Sequence, residues 1–184
     1  MMAVTHALIG LFLAISALWI WPEMIFYAAL GGFIGGIFPD LDLAFNHRRT
    51  LHYPIIFSIS SLISGAVVIL APSLVSVAVF YFFLSAAVHS LIDVFGGGLE
   101  TRPWIPSDDR GVYSHTLGKW IKPKRWIRYD GSPEDLVLTI TIAVPCYLFY
   151  TGLFQDLVVL TVLIGGIYTA LRKKIIDWAP ERFL

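Results

Sequence analysis

The chemistry available to this sequence is concentrated in histidine and aspartate side chains. His89 and Asp93 are four residues apart in an apolar segment. On a helix they would share one face and lie about 6 Å apart along the axis. An ionisable pair in such a segment is costly unless it faces the protein interior and finds a partner. Either a single His–Asp hydrogen bond or a larger polar cluster would satisfy this requirement.

The other histidines and aspartates favour the larger cluster, because most of them stand at the ends of separate apolar segments. Ionised carboxylates gathered at one membrane level would repel one another unless a cation neutralised them. Imidazole nitrogen and carboxylate oxygen, without thiolate, suit zinc, manganese or iron better than calcium. One tetrahedral ion does not need the whole set, so the set allows one or two ions, with the surplus residues orienting the ligands. The predicted metal ligands are His6, Asp40, Asp42, His47, His52, His89 and Asp93.

Hydrolysis is the chemistry that follows most directly from such a site. A bound metal lowers the pKa of its water and polarises a phosphoryl or carbonyl oxygen. Arg48, beside His47, is predicted to hold a phosphate oxygen, although a loop charge that only sets membrane topology explains it equally well. Asp42 is the second predicted catalytic residue, as a general base. The sequence does not decide between this role and that of a ligand.

The composition indicates a membrane protein. Of the 184 residues, 57% are hydrophobic and 14% are charged, whereas soluble domains carry about 25% charged residues. The mean hydropathy is +0.75, and a chain this short cannot hide so much apolar surface in one globule. Thirteen basic and thirteen acidic residues cancel, which argues against a nucleic-acid partner. The single Cys146 excludes an internal disulfide framework and a CxxC zinc site.

The apolar segments predict an all-α, polytopic fold with six membrane spans and one domain over residues 1–184. Within it, residues 5–98 carry the motifs, 96–135 form a loop and 136–171 form a helix pair. In the second span, glycines at positions 31, 35, 32 and 36 form two GxxxG patterns that predict close helix packing. The predicted spans are Thr5–Ile20, Met24–Phe38, Tyr53–Leu70, Leu74–Phe95, Leu136–Leu153 and Leu157–Leu171.

The basic residues predict the orientation of these spans. With six spans, all thirteen fall on the side that holds both termini and the second and fourth loops, and the opposite side carries only Glu23 and Asp156. The positive-inside rule then places both termini and the long loop in the cytoplasm. The basic residues are Arg48, Arg49, Arg102, Arg110, Lys119, Lys122, Lys124, Arg125, Arg128, Arg172, Lys173, Lys174 and Arg182.

The long loop mixes cations with tryptophan and tyrosine over residues 119–129. This composition fits the headgroup layer of a membrane, with aromatic rings at the interface and cations on anionic lipid. Two roles remain open, a topology anchor and a lid that presents a lipid headgroup to the metal. Asp108, Asp109 and His115 are further candidates to complete the site from this loop.

Four short motifs, in this order and spacing, resemble the YdjM/YbcI-type family of inner-membrane metal-dependent hydrolases, and the loop resembles that of archaeal members. The motifs are THALIG at 5–10, GIFPDLD at 36–42, HRRTLH at 47–52 and HSLID at 89–93. The resemblance covers residues 5–98 and implies a helical membrane hydrolase, distantly similar to zinc-dependent phospholipase C, in which the seven residues named above have the ligand roles. One departure is that Leu51 and Tyr53 flank His52, where family members often show Thr-His-Ser. The substrate does not follow from the resemblance.

The leading functional hypothesis is a metal-dependent hydrolase that cleaves a phosphoester of a lipid-like substrate at the cytoplasmic face of the plasma or inner membrane. His89 would lie about 9 Å inward from Phe95 by helical rise, near the boundary between headgroups and acyl chains, which suits an amphiphile. Two alternatives are a divalent-cation or proton-coupled transporter and a non-catalytic scaffold stabilised by metal. Transporters usually bind near the bilayer midplane, whereas the predicted ligands lie at one end of the spans.

Overall fold

The protein is helical, and its computed structural model describes residues 1–100 and 102–178. Single 3-10 turns or short 3-10 helices cover Pro22–Met24, Phe38–Ala44 and Asp93–Phe95. The α-helices are α1 (Ala3–Ala14), α2 (Ala17–Ile20), α3 (Ile25–Ile37), α4 (Pro54–Leu70), α5 (Leu74–Ile92), α6 (Pro133–Phe149) and α7 (Leu153–Trp178). The predicted all-α class is confirmed, with one small addition. Residues Val112–Ser114 (β1) and Lys119–Ile121 (β2) form an antiparallel hairpin in the long loop.

Four helical stretches of the described chain are long and apolar enough to cross a membrane. They are Ala3–Ile20, Pro22–Leu43, Leu74–Phe95 and Leu153–Trp178. Helix α4 is apolar but has 17 residues, and α6 has the same length with two acidic residues in its first turn. The count of six spans and their orientation therefore stay predictions.

Helix α3 lies between α1 and α5, and its glycines allow this arrangement. An ideal Cβ on Gly35 would stand 2.2 Å from the Phe82 carbonyl oxygen of α5, and one on Gly36 would stand 2.3 Å from the His6 carbonyl oxygen of α1. Gly31 and Gly32 make equivalent approaches one turn earlier. The two predicted GxxxG patterns thus bring the backbones of three helices together, and these are the helices that carry or precede the polar cluster.

Among the described residues, three apolar clusters hold the helices around this centre, the smallest of them formed by Phe57, Ala86 and Ala87 between α4 and α5; the two larger ones are as follows. One joins α1, α3, α6 and the start of α7, with Leu8, Leu11 and Val158 fully or almost fully buried. The other joins α1 to α3, α4 and α5 around Val77 and Tyr81. The Tyr81 hydroxyl also shares a hydrogen bond with Ser16, at 2.7 Å, where α1 gives way to α2.

Several helix ends differ from the prediction for local reasons. Helix α6 begins at Pro133 because the Ser132 hydroxyl accepts the Asp135 amide hydrogen at 3.4 Å and caps the first turn. Helix α7 continues to Trp178 through charged residues that an apolarity criterion excludes, and Arg172 there forms an ion pair with Asp130. Arg182, one of the basic residues used to predict the orientation, lies outside the described residues.

The segment between α5 and α6 folds back onto the end of α5. The amides of Lys124 and Ile127 donate to the carbonyl oxygens of Val94 and Phe95, at 2.8 and 3.1 Å. The Tyr113 amide donates to the Arg48 carbonyl oxygen at 3.0 Å. Trp126 is 73% exposed while its ring packs against Phe95, so this aromatic residue remains available at the surface beside the polar cluster.

Candidate metal centre

Four buried side chains direct one donor atom each towards a common point. Asp40 follows α3 in its 3-10 extension, His52 precedes α4, and His89 and Asp93 come from the end of α5. Their four donor atoms lie within 4.8 Å of one another. We call these residues the donor group. Three separate segments of the chain therefore meet at one end of the bundle.

The spacing within the donor group suits a single tetrahedral ion. His89 Nε2 lies 3.2 Å from His52 Nε2 and 3.4 Å from Asp40 Oδ1. Asp93 Oδ2 lies 3.5 Å from His52 Nε2 and 3.9 Å from His89 Nε2. Around a zinc ion with bonds of about 2.0–2.1 Å, tetrahedral ligand atoms stand about 3.3–3.4 Å apart. The shorter separations match this value, and the longer ones, such as 3.9 Å between His52 Nε2 and Asp40 Oδ1, must shorten for all four donors to bind one ion.

Hydrogen bonds fix the orientation of both imidazoles. The Nδ1–H of His89 donates to the Gly36 carbonyl oxygen at 2.6 Å, and the Nδ1–H of His52 donates to Asp42 Oδ2 at 3.0 Å. In each ring this leaves Nε2 facing the donor group. Metal-binding histidines almost always donate their other ring N–H to a carbonyl or carboxylate in this way.

Asp42 lies beside the donor group rather than in it. Its Oδ2 accepts hydrogen bonds from His52 and from the Leu51 amide, and its Oδ1 accepts the Nδ1–H of His47 at 2.8 Å. Both oxygens are therefore occupied by N–H donors. The geometry favours Asp42 as the residue that orients His52, over the predicted roles of ligand and general base. His47, half-buried, contacts Asp42 and does not itself belong to the donor group.

Asp93 is held by groups outside the donor group, among them the Met1 amino group, which donates to Oδ1 at 3.0 Å. The Nε2–H of His6 donates to Asp93 Oδ1 at 2.9 Å, and the His6 ring stacks on His89 with centroids 3.6 Å apart. The Arg48 Nε lies 3.2 Å from Asp93 Oδ2, and its Nη1 donates to the Gly97 carbonyl oxygen. His6, predicted as a ligand, is thus placed to steady the Asp93 carboxylate. Arg48, predicted to hold phosphate, contacts that carboxylate and is itself buried.

The donor group has the polarity of a cation site. Two carboxylates are buried there, and Asp93 Oδ2 is a fully buried atom without a hydrogen-bond partner among the described residues. Burying two carboxylates is costly. Arg48 and the Met1 amino group already lie beside Asp93, at 3.2 and 3.0 Å, and a divalent cation would compensate Asp40 and bind Asp93 Oδ2. A buried Asp40, His52, His89 and Asp93 group that could hold a metal ion is thus the central feature of the structure.

The pKa of His52 reflects the negative charge around it. Burial of its imidazole opposes protonation, but the hydrogen bonds and negative charges of Asp42 and Asp93 outweigh it and raise the pKa of His52 to about 9. Without metal, a proton on His52 Nε2 would take the position next to His89 Nε2. A metal ion entering the donor group must displace this proton, so its apparent affinity increases as the pH rises towards 9.

The three loop candidates lie elsewhere. Asp108 pairs with Arg110 at the surface, Asp109 pairs with Lys122, and the ring of His115 packs on Tyr53 at a centroid distance of 4.4 Å. Sequence reasoning did not anticipate the carbonyl groups of Gly36 and Gly97. No sequence signal reveals such backbone acceptors, since any residue type carries a carbonyl oxygen.

We expect Asp42→Asn to weaken metal binding without abolishing it. The amide would still fill the space, but it would lose the charge and one of the acceptors that orient His52. Loss of such a supporting contact typically costs about 10–100-fold in metal affinity. Competition with a chromogenic chelator measures the dissociation constant, and Asp109→Asn, at an exposed ion pair, is the control expected to change nothing. An Asp42→Asn protein with unchanged affinity would contradict the assigned role.

The site thus consists of four convergent donors, two of them oriented by a carbonyl and a carboxylate, with His6 and Arg48 supporting Asp93. These features are local to residues 1–100, where the sequence motifs also lie. The chain was compared with protein-family models, with curated proteins and with solved structures, and none of the three comparisons finds a match.

Proposed function

We propose that this chain is a multi-pass protein of the plasma or inner membrane, with six spans and with both termini and the donor group on the cytoplasmic side. The four long apolar helices support the membrane location. The turns at 71–73 and 150–152, which connect α4 to α5 and α6 to α7, contain no basic residue. The basic residues of the described chain lie in the connections and helix end on the opposite side, as the positive-inside rule requires.

The metal in our proposal is zinc, with manganese or iron as alternatives, and one ion is bound by the donor group. Two nitrogen and two carboxylate donors at tetrahedral spacing support this choice, whereas calcium takes six to eight oxygen ligands. His6, Asp42 and His47 then support the ligands. The resemblance to YdjM/YbcI-type hydrolases implies ligand roles for all seven predicted residues. The proposal keeps the hydrolase class that the resemblance implies and gives three of these residues supporting roles.

The proposed reaction is hydrolysis of a phosphoester of a lipid-like substrate at the membrane surface. The observation that carries it is that Asp40, His47 and Arg48 all line an open cleft of about 540 Å³. A divalent metal in the donor group would polarise a phosphoryl oxygen and activate water for attack. Arg48 lines the cleft and its guanidinium is held by the Gly97 carbonyl oxygen and Asp93, and in this proposal it binds a second phosphate oxygen.

A metal-stabilised scaffold is the second candidate, and one observation favours it. Four protein donors complete a tetrahedral shell, which is typical of structural zinc, whereas catalytic zinc keeps one position open. The types of donor favour catalysis, because structural zinc sites are built mainly from cysteine. Asp40 also borders the cleft, so substrate or water can approach the site past this ligand.

Turnover distinguishes the two candidates. The protein is purified in detergent, loaded with zinc or manganese, and tested with p-nitrophenyl phosphate, bis(p-nitrophenyl) phosphate and phosphatidic acid. We expect metal-dependent hydrolysis that falls at least about 100-fold, or roughly 2.7 kcal/mol of activation free energy, in Asp40→Asn. Asp109→Asn is the matched control and should retain full activity. A metal-dependent melting temperature without turnover of any of these substrates would support the scaffold and contradict the enzyme.

A further inference from the structure

The cleft that borders the donor group is lined by both charged and apolar side chains. We call the part formed by Asp40, His47 and Arg48 its inner end. Large apolar residues on the rest of the lining are Leu43, Phe45 and Ile164, and further charged residues are Glu100, Arg110, Asp130 and Arg172. The volume of the cleft lies within the range of about 300–1,000 Å³ that small-molecule sites occupy. A ligand that fills it therefore meets both charged and apolar side chains.

The wall formed by α7 extends from polar to apolar surroundings. Arg172 and Ile164 both line the cleft, and eight residues of helix between them correspond to about 12 Å along the axis. Arg172 donates two hydrogen bonds to the Asp130 carboxylate, and the Tyr168 hydroxyl donates to the same carboxylate. These contacts fasten the loop to α7 and fix the upper part of the wall. Ile164 lies about two helical turns before Arg172, nearer the middle of the Leu153–Trp178 stretch that is long and apolar enough to span a membrane.

The opposite wall exposes large apolar side chains next to the charges of the inner end. Leu43 is 59% exposed and Phe45 is 74% exposed, and both line the cleft. Large apolar side chains that border a polar pocket mark a surface for a ligand or a membrane. Here they stand at the end of a membrane-spanning stretch, so hydrocarbon can reach them from the bilayer.

We propose that this cleft binds a single membrane amphiphile, with its phosphate or phosphonate group at Arg48 and the donor group and its hydrocarbon chain along Leu43, Phe45 and Ile164. The proposal rests on the proposed function for the metal at the inner end, and it adds the path of the chain and the residue that controls it. Ile164 determines whether a long chain fits, because it lies on the side of the cleft nearest the bilayer interior. A water-soluble phosphoester needs only the inner end.

A photo-crosslinking experiment tests this path without requiring turnover. The probe is dodecylphosphonate with a diazirine midway along its chain, added to the full-length, zinc-loaded protein in lipid nanodiscs. We expect peptides containing Leu43, Phe45 or Ile164 to be labelled. Excess unlabelled dodecylphosphonate should reduce this labelling about tenfold, and excess methylphosphonate should not.

Two tryptophan variants make the test specific. Ile164→Trp places a larger side chain in the cleft and should lower the labelling about tenfold, whereas Ile167→Trp, on an exposed face of the same helix, should leave it within about twofold. Equal melting temperatures of the two variants show that both are folded, and a less stable Ile164→Trp is replaced by Ile164→Phe.

Three outcomes would overturn the proposal. Labelling spread over the outer faces of the helices would show that the probe only samples the bilayer. Equal labelling of wild type and Ile164→Trp would remove the chain path, and equal competition by methylphosphonate would indicate a site for soluble phosphoesters. Because labelling does not need hydrolysis, a protein that binds the probe in the cleft but turns over no substrate retains this inference and loses the proposed enzyme. A protein that hydrolyses a phosphoester but does not bind the probe in the cleft retains the proposed enzyme and loses this inference.

Discussion

Replacing His89 with alanine is expected to raise the dissociation constant for zinc at least about 100-fold, beyond the usual cost of losing a supporting contact. His89 Nε2 lies 3.2 Å from His52 Nε2 and 3.4 Å from Asp40 Oδ1, so it supplies one of the four donors at close range. Its loss would leave three donors and a cavity between His6 and the position of the ion. Inductively coupled plasma mass spectrometry after gel filtration gives the metal content, which should fall from about one ion per chain to near zero.

The matched control for this variant is His115→Ala. His115 is a histidine of the same chain whose ring packs on Tyr53 and Tyr113 outside the donor group, so its removal should leave the metal content unchanged. His89→Gln, which keeps more of the side-chain volume, guards against a loss caused by misfolding. Full metal content in both His89 variants, with normal folding, would show that the ion is bound elsewhere.

Gly35→Ala is expected to destabilise the protein and to weaken metal binding at the same time. The added Cβ would stand 2.2 Å from the Phe82 carbonyl oxygen, a backbone atom that cannot rotate away, so α3 and α5 must separate. Overpacking of this kind costs about 1–3 kcal/mol of unfolding free energy. In a chain of this length each kcal/mol lowers the melting temperature by about 2–4 °C. Asp40 follows α3 and His89 belongs to α5, so their separation also distorts the donor group.

Gly166→Ala provides the control for this effect. Gly166 also lies within a helix, but an ideal Cβ there meets no atom within 4 Å. Alanine at such a position is expected to stabilise the protein by about 0.4–1 kcal/mol through the unfolded state. The melting temperatures of the two variants in detergent should therefore change in opposite directions. A Gly35→Ala protein as stable as wild type would contradict the close approach of α3 and α5.

The sequence predicted the location of the site better than the role of each residue in it. Apolar length located each long helix of the described chain, although α7 extends seven residues beyond the predicted end at Leu171. The i, i+4 spacing of His89 and Asp93 predicted that both meet the site. The sequence alone did not distinguish the metal ligands from the residues that support them. His6 and Asp40 are equally acceptable as ligands by type, and only the tertiary contact of His6 with Asp93 Oδ1 separates their roles.

The long loop was the least predictable part of the fold. Its cations and aromatic residues indicate an interface, but its hairpin and its hydrogen bonds to α5 depend on partners distant in sequence. Arg125 illustrates the difficulty, because this loop cation pairs with the buried Glu100 rather than with solvent or lipid. The cleft could not be predicted from the sequence either, because it combines residues of the 38–45 segment with residues of α7 that lie more than 100 positions later.

The most direct test of the metal centre is an anomalous-scattering map of zinc-loaded crystals, collected on both sides of the zinc absorption edge. The donor group predicts one strong peak with Asp40 Oδ1, His52 Nε2, His89 Nε2 and Asp93 Oδ2 each within about 2.0–2.3 Å of it. No peak at this position, or a peak bound by Asp42 and His47 with the donor group empty, would contradict the assignment.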